Sequence, residues 1–205
     1  MSDNRYIKAV VTAAAASVGL KLMKTGQTTS YRTGDDGDLE AGRATSFTVL
    51  ASNNPFGNTN RFTDELGGTT YTKNIVIDWS TYDGSNVLGI SRAVVATGKT
   101  WNNSIDECLA FSVAPFTSGW RLPNMKEIFN LMNFGNDQNN FLNYSPFNLS
   151  SAGRVYWSSN TVLNATTQAY VLTNIGTLNV TAKTTTVAYT YFPVRTFTVT
   201  GTTLT

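Results

Sequence analysis

The sequence contains no histidine. That excludes imidazole-based catalytic triads, imidazole general bases and histidine metal ligands together. It contains one cysteine, Cys108, which excludes an intrachain disulfide, a paired redox site and a cysteine-rich zinc site. Cys108 reads as a small buried apolar residue on a helix, with no histidine to activate its thiol. Charge is sparse as well. Only 14% of residues are Asp, Glu, Lys or Arg, against roughly 25% in ordinary soluble domains. The net charge is +2 with no long basic run, so the clustered cations that nucleic-acid binding needs are missing. Long apolar runs are missing too. The uncharged stretch 9–20 is alanine-rich and has only twelve residues, short of the ~20 a membrane-spanning helix requires.

What is present instead is uncharged polarity. There are 32 Thr and 21 Asn among 205 residues, so the polar surface must come mainly from hydroxyls and amides. Threonine favours strands, and asparagine favours turns and caps. This composition points to a β-rich protein of an extracellular or particle surface. The length suits one sizeable core with an appendage.

The appendage is expected at the N-terminus. Ile7, Val11, Ala14, Val18 and Leu22 recur at steps of four, three, four and four, which aligns them on one face of a helix over about 5–24. Asp3 in the would-be basic region, and the weak hydrophobicity of 9–20, argue against a cleaved signal peptide. Residues 1–24 therefore read as an arm, packed on its own domain or used for docking and oligomerisation. A strand over Tyr6–Val11 is the other local reading.

Residues 25–70 read as turns and short strands. Strands are predicted over Lys73–Trp79 and Ser91–Thr97, with a turn at Tyr82–Asn86 between them. A helix is predicted over 101–113, capped by Thr100 or Asn103, with Trp101, Ile105, Cys108 and Leu109 on one face. A second helix is predicted over 125–133. Asn124 is its N-cap, and Glu127 three residues on completes a capping box. Ile128, Leu131 and Met132 should face the core. After an Asn-rich loop at 134–154 the pattern turns to strands: Tyr156–Ser158, Ala169–Thr173, Leu178–Lys183, and one from Val187 toward Val199. The order is α+β rather than repeating βαβ.

Several blocks carry a resemblance in order: Thr25-Gly26-Gln27-Thr28, Arg61-Phe62-Thr63-Asp64, Ile77-Asp78-Trp79, Thr100-Trp101, Gly119-Trp120-Arg121-Leu122-Pro123 with Lys126-Glu127, Tyr156-Trp157-Ser158-Ser159, and Pro193-Val194-Arg195. Over about 25–197 the chain resembles the C-terminal domain of the Legionella collagen-like adhesin, a bacterial and phage family. The resemblance implies a C-type-lectin-like α+β fold over 25–205, with two helices and a mainly antiparallel sheet. Members often carry a cysteine pair and an export signal. A phage virion protein, assembled in the cytoplasm, needs neither. The expectation is thus a non-enzymatic virion surface or structural protein, a receptor-binding, fibre or decoration subunit. Its arm would contact other virion proteins, its domain a host-surface glycan or protein, and it would form a homo-oligomer. The alternative is a secreted glycan-binding adhesin.

Trp120, Arg121, Pro123, Trp157 and Arg195 read as frame rather than site. Arg121 is expected to be held by Glu127, and Arg195 to play a similar part. Binding is expected on loops. The candidates are 135–154 and a loop at 160–168 carrying Asn160, Asn164 and Gln168, whose amides suit sugar hydroxyls or backbone. Asp35, Asp36 and Asp38 are a calcium candidate, although their spacing fits no EF-hand and suits an ordinary turn. No other cofactor is expected. Asp78, Asp83, Asp106 and Glu107 are available carboxylates, with Asp106 and Glu107 expected to face solvent. No nucleophile elbow or phosphate loop accompanies them. Formylglycine-generating enzymes share a related fold, but their cysteine chemistry is out of reach of this chain.

Overall fold

The computed structural model describes residues 25–39, 44–92, 98–136, 141–148, 154–185 and 189–205. The expected arm, residues 1–24, lies outside them. In chain order the elements are α1 (Asp36–Leu39), β1 (Ala44–Ser46), β2 (Val49–Leu50), β3 (Phe62–Thr63), β4 (Ile75–Asp78), a 3-10 turn (Trp79–Thr81), β5 (Asn86–Ser91), α2 (Trp101–Leu109), β6 (Trp120–Arg121) and α3 (Met125–Asn130). Then follow β7 (Asn143–Tyr144), β8 (Phe147–Asn148), β9 (Val155–Val162), β10 (Ala165–Thr173), β11 (Leu178–Ala182), β12 (Tyr189–Thr190), β13 (Val194–Thr200) and β14 (Thr203–Leu204). The fold is α+β, mostly sheet, with three short helices among the described residues.

Two sheets dominate. The larger runs β14-β13-β5-β4-β3, with β6 also paired to β13. The smaller runs β11-β10-β9-β12, antiparallel except for β12 beside β9. Alternate residues of β4 and β5 enter different cores, because side chains alternate across a strand. Val76, Leu88, Ile90 and Val194 join a core with Tyr156 and Leu172 of the smaller sheet and Ile128, Leu131 and Met132 of the α3 region. Ile75, Ile77, Val87 and Phe197 join a second core with Trp79, Phe116 and Trp120. A third core lies at α2, where Cys108 meets Leu122, Trp157, Ala169, Val171 and Tyr191. Gly89 makes the second core possible: a Cβ there would stand 2.2 Å from the Phe197 ring.

Several boundaries differ from expectation. The strand after the Tyr82–Asn86 turn is β5, which meets the expected Ser91–Thr97 at Ser91; residues 93–97 of that expectation lie outside the described residues. Two causes hid it. Asp83 Oδ1 accepts the N–H groups of Ser85 and Asn86, so the turn ends at Asn86. The strand is also buried on both faces and shows no alternation. Helix α2 stops at Leu109, which is exposed rather than in the core. The N–H of Phe111 bonds back to Cys108 O, and its ring packs edge-on against Trp120. Helix α3 stops at Asn130, whose carbonyl accepts from Arg61 instead of continuing the helix. The terminal strand is two strands in different sheets, β12 and β13, with Tyr191-Phe192-Pro193 between them. Pro193 has no N–H for a ladder. Val187 lies outside the described residues.

Candidate functional site

The tryptophan blocks sit in the frame. Strand β6 pairs with β13, Trp120 opposite Arg195. Trp120 is 1% exposed and donates from Nε1 to Phe116 O at 2.8 Å. Trp157 is 0% exposed and donates from Nε1 to Lys99 O at 2.9 Å. Both indoles thus satisfy the one donor that burial would otherwise orphan. Pro123 is buried, and its carbonyl accepts the Ser159 N–H at 2.8 Å. Arg195 lies over the rings of Phe197 and Phe116, at 4.7 and 5.2 Å, so aromatic faces hold it rather than a carboxylate.

Arg121 and Glu127 form the expected pair, with Nη1–Oε2 at 2.8 Å and Nη2–Oε1 at 2.6 Å. Glu127 Oε2 also accepts the Asn124 N–H, and Asn124 Oδ1 accepts the Glu127 N–H. One carboxylate therefore closes the α3 capping box and clamps Arg121. The bonds from Glu127 raise the Arg121 pKa further.

The 160–168 segment is not a loop but the outer half of the β9–β10 hairpin. Its residues show no apolar alternation because both faces project outward, mostly exposed. The three amides lie on one hairpin in different settings. Asn160 Oδ1 accepts the Met125 N–H at 2.8 Å, which ties β9 to the start of α3. Asn164 is exposed in the turn, and Gln168 sits half-buried in β10 opposite Ala182. A stacked pair stands nearby: Lys183 Nζ lies 3.8 Å above the Trp101 ring and 2.8 Å from Thr161 Oγ1.

The acidic turn is self-contained. Asp35 accepts the N–H groups of Tyr31, Arg32 and Asp38, and Asp38 accepts that of Gly34. Asp36 accepts from the Thr25 hydroxyl. The bond from Tyr31 chiefly holds the Asp35 carboxyl below its usual pKa. Among the described residues no three Cys, Asp or Glu side chains converge as metal ligands.

Sequence reasoning missed three features. The first is a concave surface. An open cleft of about 280 Å³ is lined by Thr81, Asp83, Asn86, Glu127 and Thr196, with Val87 and Leu88. These residues come from the 3-10 turn, β5, α3 and β13. Thr81 Oγ1 donates to Asp78 O and accepts the Leu88 N–H, Asp83 accepts the Ser85 and Asn86 N–H groups, and Glu127 accepts from Arg121 and the Asn124 N–H. The two carboxylates keep spare lone pairs that a hydroxylated ligand can use beside the apolar floor. The Asn86 and Ser85 N–H groups hold the Asp83 carboxyl low, so it presents a carboxylate. The Tyr82–Asn86 turn was visible in the sequence, but its partners from α3 and β13 were not.

The second is a buried ion pair. Arg61 Nε and Nη2 each reach Asp78 at 2.9 Å, and both side chains are 0% exposed. Arg61 also donates to Phe47 O and Asn130 O, and lies 4.5 Å from each of the Phe47 and Phe62 rings. The Asn130 amide bonds both Asp78 and Ser80. The third corrects the expectation for Glu107. It does not simply face solvent: Lys99 reaches Oε1 at 2.5 Å, and the Tyr191 hydroxyl donates to Oε2. Those bonds, Lys99 first, lower its pKa. Asp106 is exposed, as expected.

No family model matches the sequence, and no curated protein matches it.

Proposed function

We propose that this chain is a non-enzymatic surface or structural subunit of a bacteriophage particle: a receptor-binding, fibre or decoration protein built on a C-type-lectin-like domain. The observation that carries the reading is the open cleft lined by Thr81, Asp83, Asn86, Glu127 and Thr196 together with Val87 and Leu88, a concave surface with a mixed apolar and polar lining. Among the described residues, the carboxyls whose pKa values shift, Asp35, Asp83 and Glu107, shift downward. A general acid working near neutral pH needs the opposite. Binding through hydrogen bonds needs only the donors and acceptors in place.

The ordered blocks from Thr25-Gly26 to Pro193-Val194-Arg195, which resemble the adhesin C-terminal domain family, support the lectin-like assignment. The uncharged Thr/Asn surface supports a particle exterior. In this reading the 1–24 arm contacts other particle proteins, the subunit is homo-oligomeric, and the cleft meets a host-surface glycan or protein. The reading requires no cofactor and no nucleic acid. The cleft's hydroxyl, amide and carboxylate set also favours a second reading, a secreted glycan-binding adhesin.

Purified particles and a host-surface polysaccharide array test both. The expected result is co-purification with particles, and array binding that Thr196→Trp abolishes by filling the cleft while the thermal midpoint stays put. Array binding together with export from a bacterium, without particle association, would favour the adhesin. Neither binding nor particle association would overturn both.

A further inference from the structure

Among the described residues, apolar side chains at one rim of the core between the two sheets are exposed. Phe129 is 48% exposed and tilts onto Phe134, which in turn packs on Phe141, with ring centroids 5.4 and 4.8 Å apart. The β10–β11 turn abuts the same rings: a Cβ on Gly176 would lie 3.2 Å from Phe134 and 3.3 Å from Phe141. Its neighbour Ile175 is 48% exposed. Leu178 stands opposite Leu172, a member of that core, and so shares its face, as does Val180 two residues on. Leu178 and Val180 are 46% and 49% exposed. Exposed apolar residues gathered at one rim are a candidate contact surface.

The described chain begins at this patch. Thr25 O accepts the Phe134 N–H at 2.7 Å. The backbone of Gly26 runs so close to Asn133 and Gly135 that a Cβ on Gly26 would fall 1.9 Å from Asn133 Oδ1. The segment that precedes Thr25 carries the stripe Ile7, Val11, Ala14, Val18 and Leu22. Three residues of chain reach at most about 11 Å, so the patch lies within reach of Leu22. A tether this short gives the segment an effective concentration of order millimolar at its own domain, ahead of any second copy in dilute solution.

We propose that residues 7–22 seat their apolar stripe on the Phe129, Phe134, Phe141, Ile175, Leu178 and Val180 patch of the same chain. The arm is then not a free tether. Its apolar face belongs to the domain, and only its outer face is offered to an assembly. This stands whether or not the chain is a particle subunit.

Two measurements on the full chain test it. Trypsin should cleave after Lys8 and Lys21 slowly in the native protein. Cleavage should be at least tenfold faster in Ile175→Asp, and equally so in Val18→Asp, which leaves the domain's own residues untouched. Cleavage of the native protein as fast as a free peptide, or rates unmoved by Val18→Asp, would overturn the proposal. Leu22→Cys combined with Ile175→Cys should form an intrachain disulfide under mild oxidation. Cys108 will not compete, because it is 0% exposed and burial pushes its thiol pKa up. An interchain disulfide would place the arm on a neighbouring copy, and no disulfide would leave the patch without this occupant. Either result overturns the proposal.

Discussion

Arg61–Asp78 and Arg121–Glu127 are both two-pronged arginine–carboxylate pairs with similar distances. Their surroundings differ completely. The first is 0% exposed at both side chains, sandwiched between two phenyl rings and tied to Asn130 and Phe47. The second is 39% and 18% exposed and bonded within one stretch of chain. Burial removes the water that would otherwise stand in for a lost partner. The same chemistry therefore serves as an all-or-nothing joint in one place and as a modest brace in the other. The inner pair joins the start of β3, the end of β4 and the end of α3. The outer pair only sets how the chain turns from β6 into α3.

The contrast can be broken by removing one carboxylate from each pair. Asp78→Ala strands the Arg61 guanidinium in a dry site and should destabilise the protein by about 3–5 kcal/mol, read as a shift in the urea midpoint. A loss under about 1 kcal/mol would mean that water reaches the site after all. The next largest effect comes from pH. Burial pushes the Tyr71 phenol up to about 12. A raised folded-state pKa means that its stabilisation is whole below the unfolded value near 10 and is lost as pH rises toward 12. Tyr144 and Tyr156 are also pushed up by burial and add to the same alkaline loss. Stability measured from pH 9 to 12 should fall steeply, and a flat profile would contradict the burial of these phenols.

Glu127→Ala removes both a capping-box partner and a half-exposed ion pair. It should cost about 1–2 kcal/mol, well below Asp78→Ala in the same assay. Equal losses would erase the distinction between the pairs. The smallest effect is expected at Asn160→Ala, which frees the Met125 N–H at an exposed position, for about 0.5–1 kcal/mol. Array binding should survive it if the cleft, not the hairpin, is the binding surface. Loss of binding with unchanged stability would return Asn160 to the ligand.

The two pairs also show what could be read in advance. Glu127 lies six residues from Arg121, and Asn124 and Glu127 lie three apart. Capping and pairing over such short spans are local geometry, so the α3 start, its core-facing Ile128 and the clamp on Arg121 were all legible. The burial of Trp120, Trp157 and Cys108 was legible too, because large planar or soft apolar groups have few other places to go. Arg61 and Asp78 are 17 residues apart, and Asn130 is 69 from Arg61. No periodicity links residues at such distances.

The candidate site divides the same way. The turn holding Asp83 and Asn86 is a local motif, but the cleft exists only because β13 and α3 bring Thr196 and Glu127 beside it. The Asn160 amide looked free in the sequence and is taken by the first turn of α3, 35 residues earlier. By itself the sequence determined the class of the fold, helices α2 and α3 and the exclusion of imidazole and paired-cysteine chemistry. Composition and near-neighbour hydrogen bonds suffice for these. Tertiary structure alone decided which charges are buried, where β5 lies, that the last strands part into two sheets at Pro193, and where the cleft opens. Each of these depends on a contact whose loop-closure entropy is offset only when the whole fold forms.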